Sequence, residues 1–348
     1  MSERRIHSRA SVRRQTFAVL LALLPVTLLV CACAGSVWIS PKGALASLAV
    51  AAGLGGGSPA LDAAHETILW SVRLPRVLLA ALVGGGLAVV GAVLQAVFRN
   101  PMADSGLLGV GSGAALGAVV AVNLGWGNVF LALPFAAFGG AMAAVGALYA
   151  LAHAAGGRPS LHGLLLTGLA VSALAGAGTS MLLVATEEFR VRTVLFWLAG
   201  GLEGRGWPHA ALTAAFVLGG GGLLLALART LDVLSLGGEE AAALGLPVHA
   251  ARLLVMGLAA LVAGACTAAA GSVPFVGLVA PHGLRPLVGT LNRHLLPAAF
   301  LGGAVLVLVA DMLSRTLSQH MDLPLGSLTA LVGAPYFLVA LRASEGRS

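Results

Sequence analysis

Charge is nearly missing from this chain. Asp, Glu, Lys and Arg make up 9% of 348 residues, against roughly a quarter in a soluble globule, so the residues needed to cover a water-facing surface are not there. Lysine occurs once, as Lys42 between Pro41 and Gly43. A phosphate-cradling loop needs Gly-Lys-Ser/Thr, so this chain carries no P-loop for ATP. The three cysteines, Cys31, Cys33 and Cys266, each lie inside an apolar run. They form neither a disulfide framework nor a metal-ligand spacing and read as small buried residues. There is no His-Glu-x-x-His, no Gly-x-Ser-x-Gly and no acid pair within an apolar run, so no catalytic residue and no metal ligand is assigned. Nearly all of the 13 acids fall between apolar runs. An intramembrane enzyme or a proton-driven carrier, which needs ionisable groups at membrane depth, has little to work with.

What remains is grease and glycine. Hydrophobic residues make up 58% and mean hydropathy is +0.97. The apolar runs are continuous rather than alternating, which excludes an outer-membrane barrel. A helix crosses a bilayer with about 20 apolar residues, and the runs predict an all-α polytopic membrane protein with about ten crossings in a single domain, 1–348. The crossings are placed at 16–37, 72–98, 106–123, 129–152, 161–184, 208–228, 252–270, 274–291, 295–315 and 324–341. Arg4, Arg5, Arg9, Arg13 and Arg14 precede the first run and hold residues 1–15 in the cytoplasm. The cluster resembles the start of a signal peptide, but the run is long and lacks a convincing small-residue cleavage site, so it is read as a retained first helix. No soluble segment follows that could use these arginines on nucleic acid. With both termini inside, 13 of the 20 basic residues lie inside and 7 outside, as the positive-inside rule requires.

The organising stretch runs from Arg73 to Gly117. Arg73-Leu74-Pro75-Arg76 opens a long apolar crossing, Arg99-Asn100-Pro101-Met102-Ala103-Asp104 turns the chain, and Leu107 to Gly113 starts the next crossing. Gly109, Gly113 and Gly117 recur four apart, which predicts a helix face bare enough for close approach of a neighbour. Residues 194–202 are apolar but too short to cross and read as a half-helix at the outer face. Residues 230–251 carry Asp232, Glu239, Glu240 and His249 among leucines and alanines, and predict a short cytoplasmic helix, either a solvated connector or a docking surface. Asp311 is the one acid inside a crossing. It lies four residues before Arg315, and reads as half of a structural ion pair or as a coupling acid. His162 and His282 are lone histidines that fit hydrogen-bonded packing.

These residues closely resemble the FecCD-type permease subunits of type II ABC importers, which take up ferric siderophores, haem and vitamin B12. The matching pieces span the chain: Arg73 to Arg76; Gln95 to Gly113; Leu234-Ser235-Leu236-Gly237 with Ala243-Leu244-Gly245; Phe275 to His282; Ala310-Asp311 with Arg315; and Leu323 to Gly326 with Gly333 to Phe337. The resemblance implies ten helices per subunit in a homodimer in the bacterial inner membrane, with two cytoplasmic ABC ATPase subunits and a periplasmic substrate-binding protein as partners. ATP and Mg would bind the ATPase, and this chain would hold no cofactor. By the same likeness Arg73, Arg76 and Arg315 dock the binding protein. Leu236, Gly237, Glu239, Glu240, Ala243, Leu244 and Gly245 belong to coupling helices against the ATPase. Asn100 and Met102, with Leu161 and His162, form the cytoplasmic gate. Leu161 and His162 depart from the small hydroxyl residues of the vitamin B12 branch. The Arg-Asn-Pro opening and Gly111 to Ala115 lean towards haem as cargo, with siderophore and vitamin B12 as alternatives and a proton-coupled carrier using Asp311 as the competing reading.

Overall fold

The computed structural model describes residues 2–54, 61–126, 131–154, 161–317 and 323–345, with side chains from residue 10 to residue 339. Arg158 and Arg347, counted above on the inside, lie outside the described residues. Among the described residues there are helices and no strands. In chain order they are α1 (Ser2–Cys33), α2 (Pro41–Ala51), α3 (Ala63–Thr67), α4 (Leu74–Phe98), α5 (Val110–Asn123), α6 (Ala132–Ala154), α7 (Leu161–Val184), α8 (Glu188–Ala199), α9 (Trp207–Ala226), α10 (Ala228–Leu234), α11 (Gly238–Ala243), α12 (Val248–Ala270), α13 (Val276–Val288), α14 (Asn292–Thr316) and α15 (Leu325–Glu345). Among the described residues, 7 helices are long and apolar enough to span a bilayer. α5 and α15 are shorter apolar helices, and α13 lies within the stretch expected as the eighth crossing.

α4 is the axis of the bundle. It is apolar all round, and such a helix belongs in the interior. It packs against α14, α12, α9 and α13 and is buried along nearly its whole length. Glycine makes this possible, because lipid offers no hydrophobic drive between helices and association relies on close contact. A Cβ on Gly84 would overlap the Gly303 carbonyl of α14, and one on Gly91 would overlap the Gly277 carbonyl of α13. By contrast α7 exposes Leu166, Leu169, Leu174, Met181 and Val184, an apolar surface that suits lipid or a second protomer.

Several boundaries differ from the sequence reading. The third crossing does not start as one helix at residue 106. A 3₁₀ turn, Ser105–Leu108, is capped by Asp104, and Gly109 breaks it from α5 with φ +71°. The eighth crossing shrinks to the 13 residues of α13, because Phe275 before it takes φ +67° and Gly289 after it takes φ +91°. The half-helix expected at 194–202 starts earlier, as α8 from Glu188. The polar segment 230–251 holds two short helices, α10 and α11, and its last residues already belong to α12.

Candidate functional site

The functional residues collect at the two ends of α14, which at 1.5 Å per residue spans roughly 37 Å. At one end Asp311 is shared by two arginines. Arg76 Nε donates to its Oδ1 at 2.9 Å and Arg315 Nε to its Oδ2 at 3.0 Å. The pair four residues apart that the sequence suggested is present, and Arg76 joins it from 235 residues away. Arg315 also donates to the Ala34 and Cys31 carbonyls, at 2.8 and 3.0 Å. Arg73 donates to the carbonyls of Ala32, Ala34 and Val37 at 3.1, 2.6 and 2.6 Å. These carbonyls belong to the end of α1 and the turn after it, where a helix leaves its last acceptors unpaired and carries partial negative charge. Arg73, Arg76 and Arg315 are 5%, 8% and 9% exposed. They tie α1, α4 and α14 together before they can do anything else. Three guanidiniums against one carboxylate leave this cluster positive, and Asp311 is engaged on both oxygens.

At the other end of α4 the chain turns sharply at Arg99, with φ +53°. Asn100 Oδ1 accepts from the Met102 N–H at 2.9 Å and so holds the turn closed. Asp104 accepts from the Ser105 N–H and hydroxyl; burial pushes its carboxyl pKa up, against the pull of those two donors. Gln95 donates to the Gly277 carbonyl at 3.0 Å and accepts from Arg285 at 2.8 Å, which fastens α4 to α13. Met102 lines a small cavity with Leu278, His282 and Tyr336, and the His282 ring sits edge-on to Tyr336 with centroids 6.1 Å apart. Leu161 and His162 do not line this cavity. They open α7, with Leu161 against the core and His162 exposed.

The segment with the coupling residues sits at this same end. Asp232 Oδ1 accepts from both the backbone and the side-chain amide of Asn292 at 2.8 Å each, pinning α10 to the start of α14. On that fixed base Leu236 and Leu244 are 52% and 66% exposed, and Glu239, Glu240, Ala243 and Gly245 are exposed beside them. Gly237 is buried, and a Cβ there would overlap the Glu240 carboxylate. Two leucines held out in the turns after two short helices, amid acids, are an unpartnered surface, not a folded interior.

Of the packing glycines, Gly113 and Gly117 press against the backbone of Gly140 and Ala136 in α6, whereas Gly109 is the left-handed residue before α5 and meets Ser172 and Val171 at 3.4 Å.

Sequence reading missed a cleft beside the arginine cluster. α8, the loop 200–206 and the start of α15 meet there. The Gly201 N–H donates to the Ala270 carbonyl at 2.8 Å, and the Leu325 N–H donates to the Gly200 carbonyl at 2.9 Å. Arg76, Trp197, Glu203 and Arg205 line this cleft. Burial pulls the Arg205 pKa below its ordinary value, yet a guanidinium stays charged at any working pH. Nothing in the sequence singles out Arg205, since an arginine in a polar loop is ordinary.

Comparison with known proteins fits this arrangement. The FecCD transport family matches residues 23–343. The chain is 42% identical over 283 residues to the cobalamin import system permease protein BtuC of Halobacterium salinarum, covering 81% of this chain and 75% of that one. It is 42% identical over 287 residues to the hemin transport system permease protein HmuU of Yersinia pestis, covering 80% and 85%. It is 38% identical over 308 residues to the Fe(3+)-citrate import system permease protein YfmE of Bacillus subtilis, covering 88% and 89%. A solved structure described as an inward-facing metal-chelate type ABC transporter superposes with a TM-score of 0.83 at 31% identity, covering 95% of this chain and 99% of that one.

Proposed function

The chain belongs to the FecCD transport family, has the fold of an ABC importer permease and is a multi-pass membrane protein; from that premise we propose that it moves a metal chelate inward across a bacterial inner membrane, driven by ATP hydrolysis in a partner. The observation that carries this reading is the pair of exposed leucines, Leu236 and Leu244, in the turns that follow α10 and α11, with α10 pinned to α14. An ATPase that cannot be part of this chain needs a rigid handle through which to push, and this surface is one. Two copies of the chain would enclose the pathway, each resting on an ATPase subunit through α10 and α11, with both termini in the cytoplasm. ATP and Mg would stay in the ATPase.

At the opposite end the Arg73, Arg76 and Arg315 cluster, with Asp311 as its one hydrogen-bonded carboxylate, is a local positive spot that draws the acidic surface of a periplasmic binding protein. Arg73 and Arg315 act there through the α1 turn whose carbonyls they hold, and Arg76 through the charge it sets against Asp311. On the inner side, the turn at Asn100 and Met102 and the start of α7 at Leu161 and His162 close the pathway. The cargo leans to haem, with a ferric siderophore or vitamin B12 as alternatives. A gradient-driven carrier would need Asp311 free to exchange a proton, and its two arginine contacts argue for a fixed counter-ion instead.

Placing Asp at Leu244 puts a charge where a partner needs apolar surface. The expected outcome is a correctly folded permease that no longer stimulates the ATP hydrolysis of its cognate ATPase in proteoliposomes. Full stimulation by the Leu244→Asp protein would defeat this assignment.

A further inference from the structure

A groove between α4, α9 and α14 ends beside a group of arginines. It holds about 730 Å³ of empty space, including its open side, and every residue that lines it is Val, Leu, Gly, Pro or Phe. Gly221 and Gly222 leave room on the α9 wall, since a Cβ on either would meet nothing within 4 Å. Leu218 and Leu225 of the same wall are 58% and 42% exposed, so the groove opens outward, where a membrane helix meets lipid. From Val217 to Leu225 it runs roughly 12 Å at 1.5 Å per residue, most of one leaflet of a hydrocarbon core about 30 Å thick. That length takes one acyl chain.

The end of the groove near α10 carries charge. Arg229, in the first turn of α10, follows Leu225 by four residues, and Arg293 lies one turn before Leu296 and Pro297 in α14. Asp232, three residues after Arg229, accepts two hydrogen bonds from Asn292, the neighbour of Arg293. The contact between α10 and α14 therefore brings the two arginines to one place. Both are exposed, and among the described residues neither makes a hydrogen bond or an ion pair. Arg13 of α1 and Arg293 both lie within electrostatic reach of His294. The carboxylate in the same reach is Asp232, and its Oδ1 is already held by Asn292.

We propose that this groove binds one anionic phospholipid of the cytoplasmic leaflet, its acyl chain between α9 and α14 and its phosphate on Arg229 and Arg293. The assignment rests on the importer reading above, which places α10 on the cytoplasmic side. A guanidinium is a planar fork for phosphate oxygens, and an arginine near an anionic membrane surface contributes about 1 kcal/mol to its attraction. A second copy of the chain is the poorer occupant, because a two-fold axis through this face sets each arginine pair against the same pair. The bound lipid braces α9 and α10 against α14, next to the turn that carries Leu236.

The test uses the full-length purified chain, delipidated in detergent, with dioleoyl phosphatidylglycerol or dioleoyl phosphatidylcholine added back and the lipid retained per chain read by native mass spectrometry. Phosphatidylglycerol should bind about tenfold or more tighter than phosphatidylcholine. The double variant Arg229→Gln with Arg293→Gln should lose that preference, and Arg229→Lys with Arg293→Lys should keep most of it. Gly221→Leu fills the groove without a clash and should weaken retention of both lipids. Phosphatidylglycerol retained equally by wild type and the Gln variant, or by wild type and Gly221→Leu, overturns the proposal. So does displacement of the lipid by an equal concentration of glycerol 3-phosphate, because the arginines then hold a free anion. A delipidated wild-type dimer that the Gln variant loses also overturns it, since the occupant is then a second copy. The measurement needs neither ATPase nor uptake, so a failed lipid site and a failed importer reading give separate results.

Discussion

Replacing Asp311 with Asn removes the one carboxylate that two buried arginines, Arg76 and Arg315, share. The asparagine keeps one acceptor oxygen, enough for Arg76 or Arg315, and turns its NH₂ towards the other guanidinium, donor against donor. A hydrogen bond to a charged group contributes about 1.5–3 kcal/mol, and two are present, at 2.9 and 3.0 Å. One is lost outright and the other loses its charge assistance, while the positive charge of Arg73, Arg76 and Arg315 stays buried. Removing one partner of a buried ion pair costs about 3–5 kcal/mol, and this site belongs at that level because Asp311 is 1% exposed. The assay is thermal unfolding of the purified protein in detergent, followed by loss of the monodisperse peak in size-exclusion chromatography. Asp311→Asn should unfold several degrees below wild type, and the double variant Asp311→Asn with Arg76→Met should recover part of the loss, since it removes one of the stranded charges. A single variant as stable as wild type would refute the counter-ion account. If it stayed stable and lost gradient-driven transport, Asp311 would be a coupling acid after all.

Gly91→Leu should abolish folding, because the Gly277 backbone occupies the space its side chain needs; a normally folded variant seen by size-exclusion chromatography would show that α4 and α13 can part. Gly113→Leu should likewise fail against Gly140, whereas Gly111→Leu, which meets nothing within 4 Å, should express at wild-type level. Cys31, Cys33 and Cys266 are all buried, so the native protein should resist maleimide until heated through its unfolding transition, and rapid labelling at room temperature would contradict the packing. Arg73→Glu should damage stability as well as weaken salt-sensitive docking of the binding protein, because it sets a carboxylate against the Ala32, Ala34 and Val37 carbonyls; a stable variant with docking alone impaired would return Arg73 to the surface.

Much of the fold was legible because a membrane crossing is a one-dimensional signal. α7 runs over the same residues as its apolar stretch, 161–184, and α4 fills nearly all of the crossing placed at 72–98. The Asp311–Arg315 pair was legible because four residues is one helical turn. Arg76 joining that pair was not, since its 235-residue separation exists only once the helices pack. The left-handed Phe275 was illegible for another reason: a bulky aromatic carries no mark for positive φ, and the surrounding structure imposes it. Gly109 fell between two readings, because a glycine four before Gly113 fits a packing face as well as a break. The cleft that Arg205 and Trp197 line was illegible because it exists only once α8 and the loop after it lie against the start of α15.

The central claim is that this chain conducts while another polypeptide supplies the energy. Its direct test is uptake of a radiolabelled metal chelate into proteoliposomes that contain the chain with its cognate ATPase and binding protein, with each component left out in turn. The account predicts uptake only when all three are present with ATP and Mg. Uptake by the chain alone under a proton or sodium gradient would contradict it.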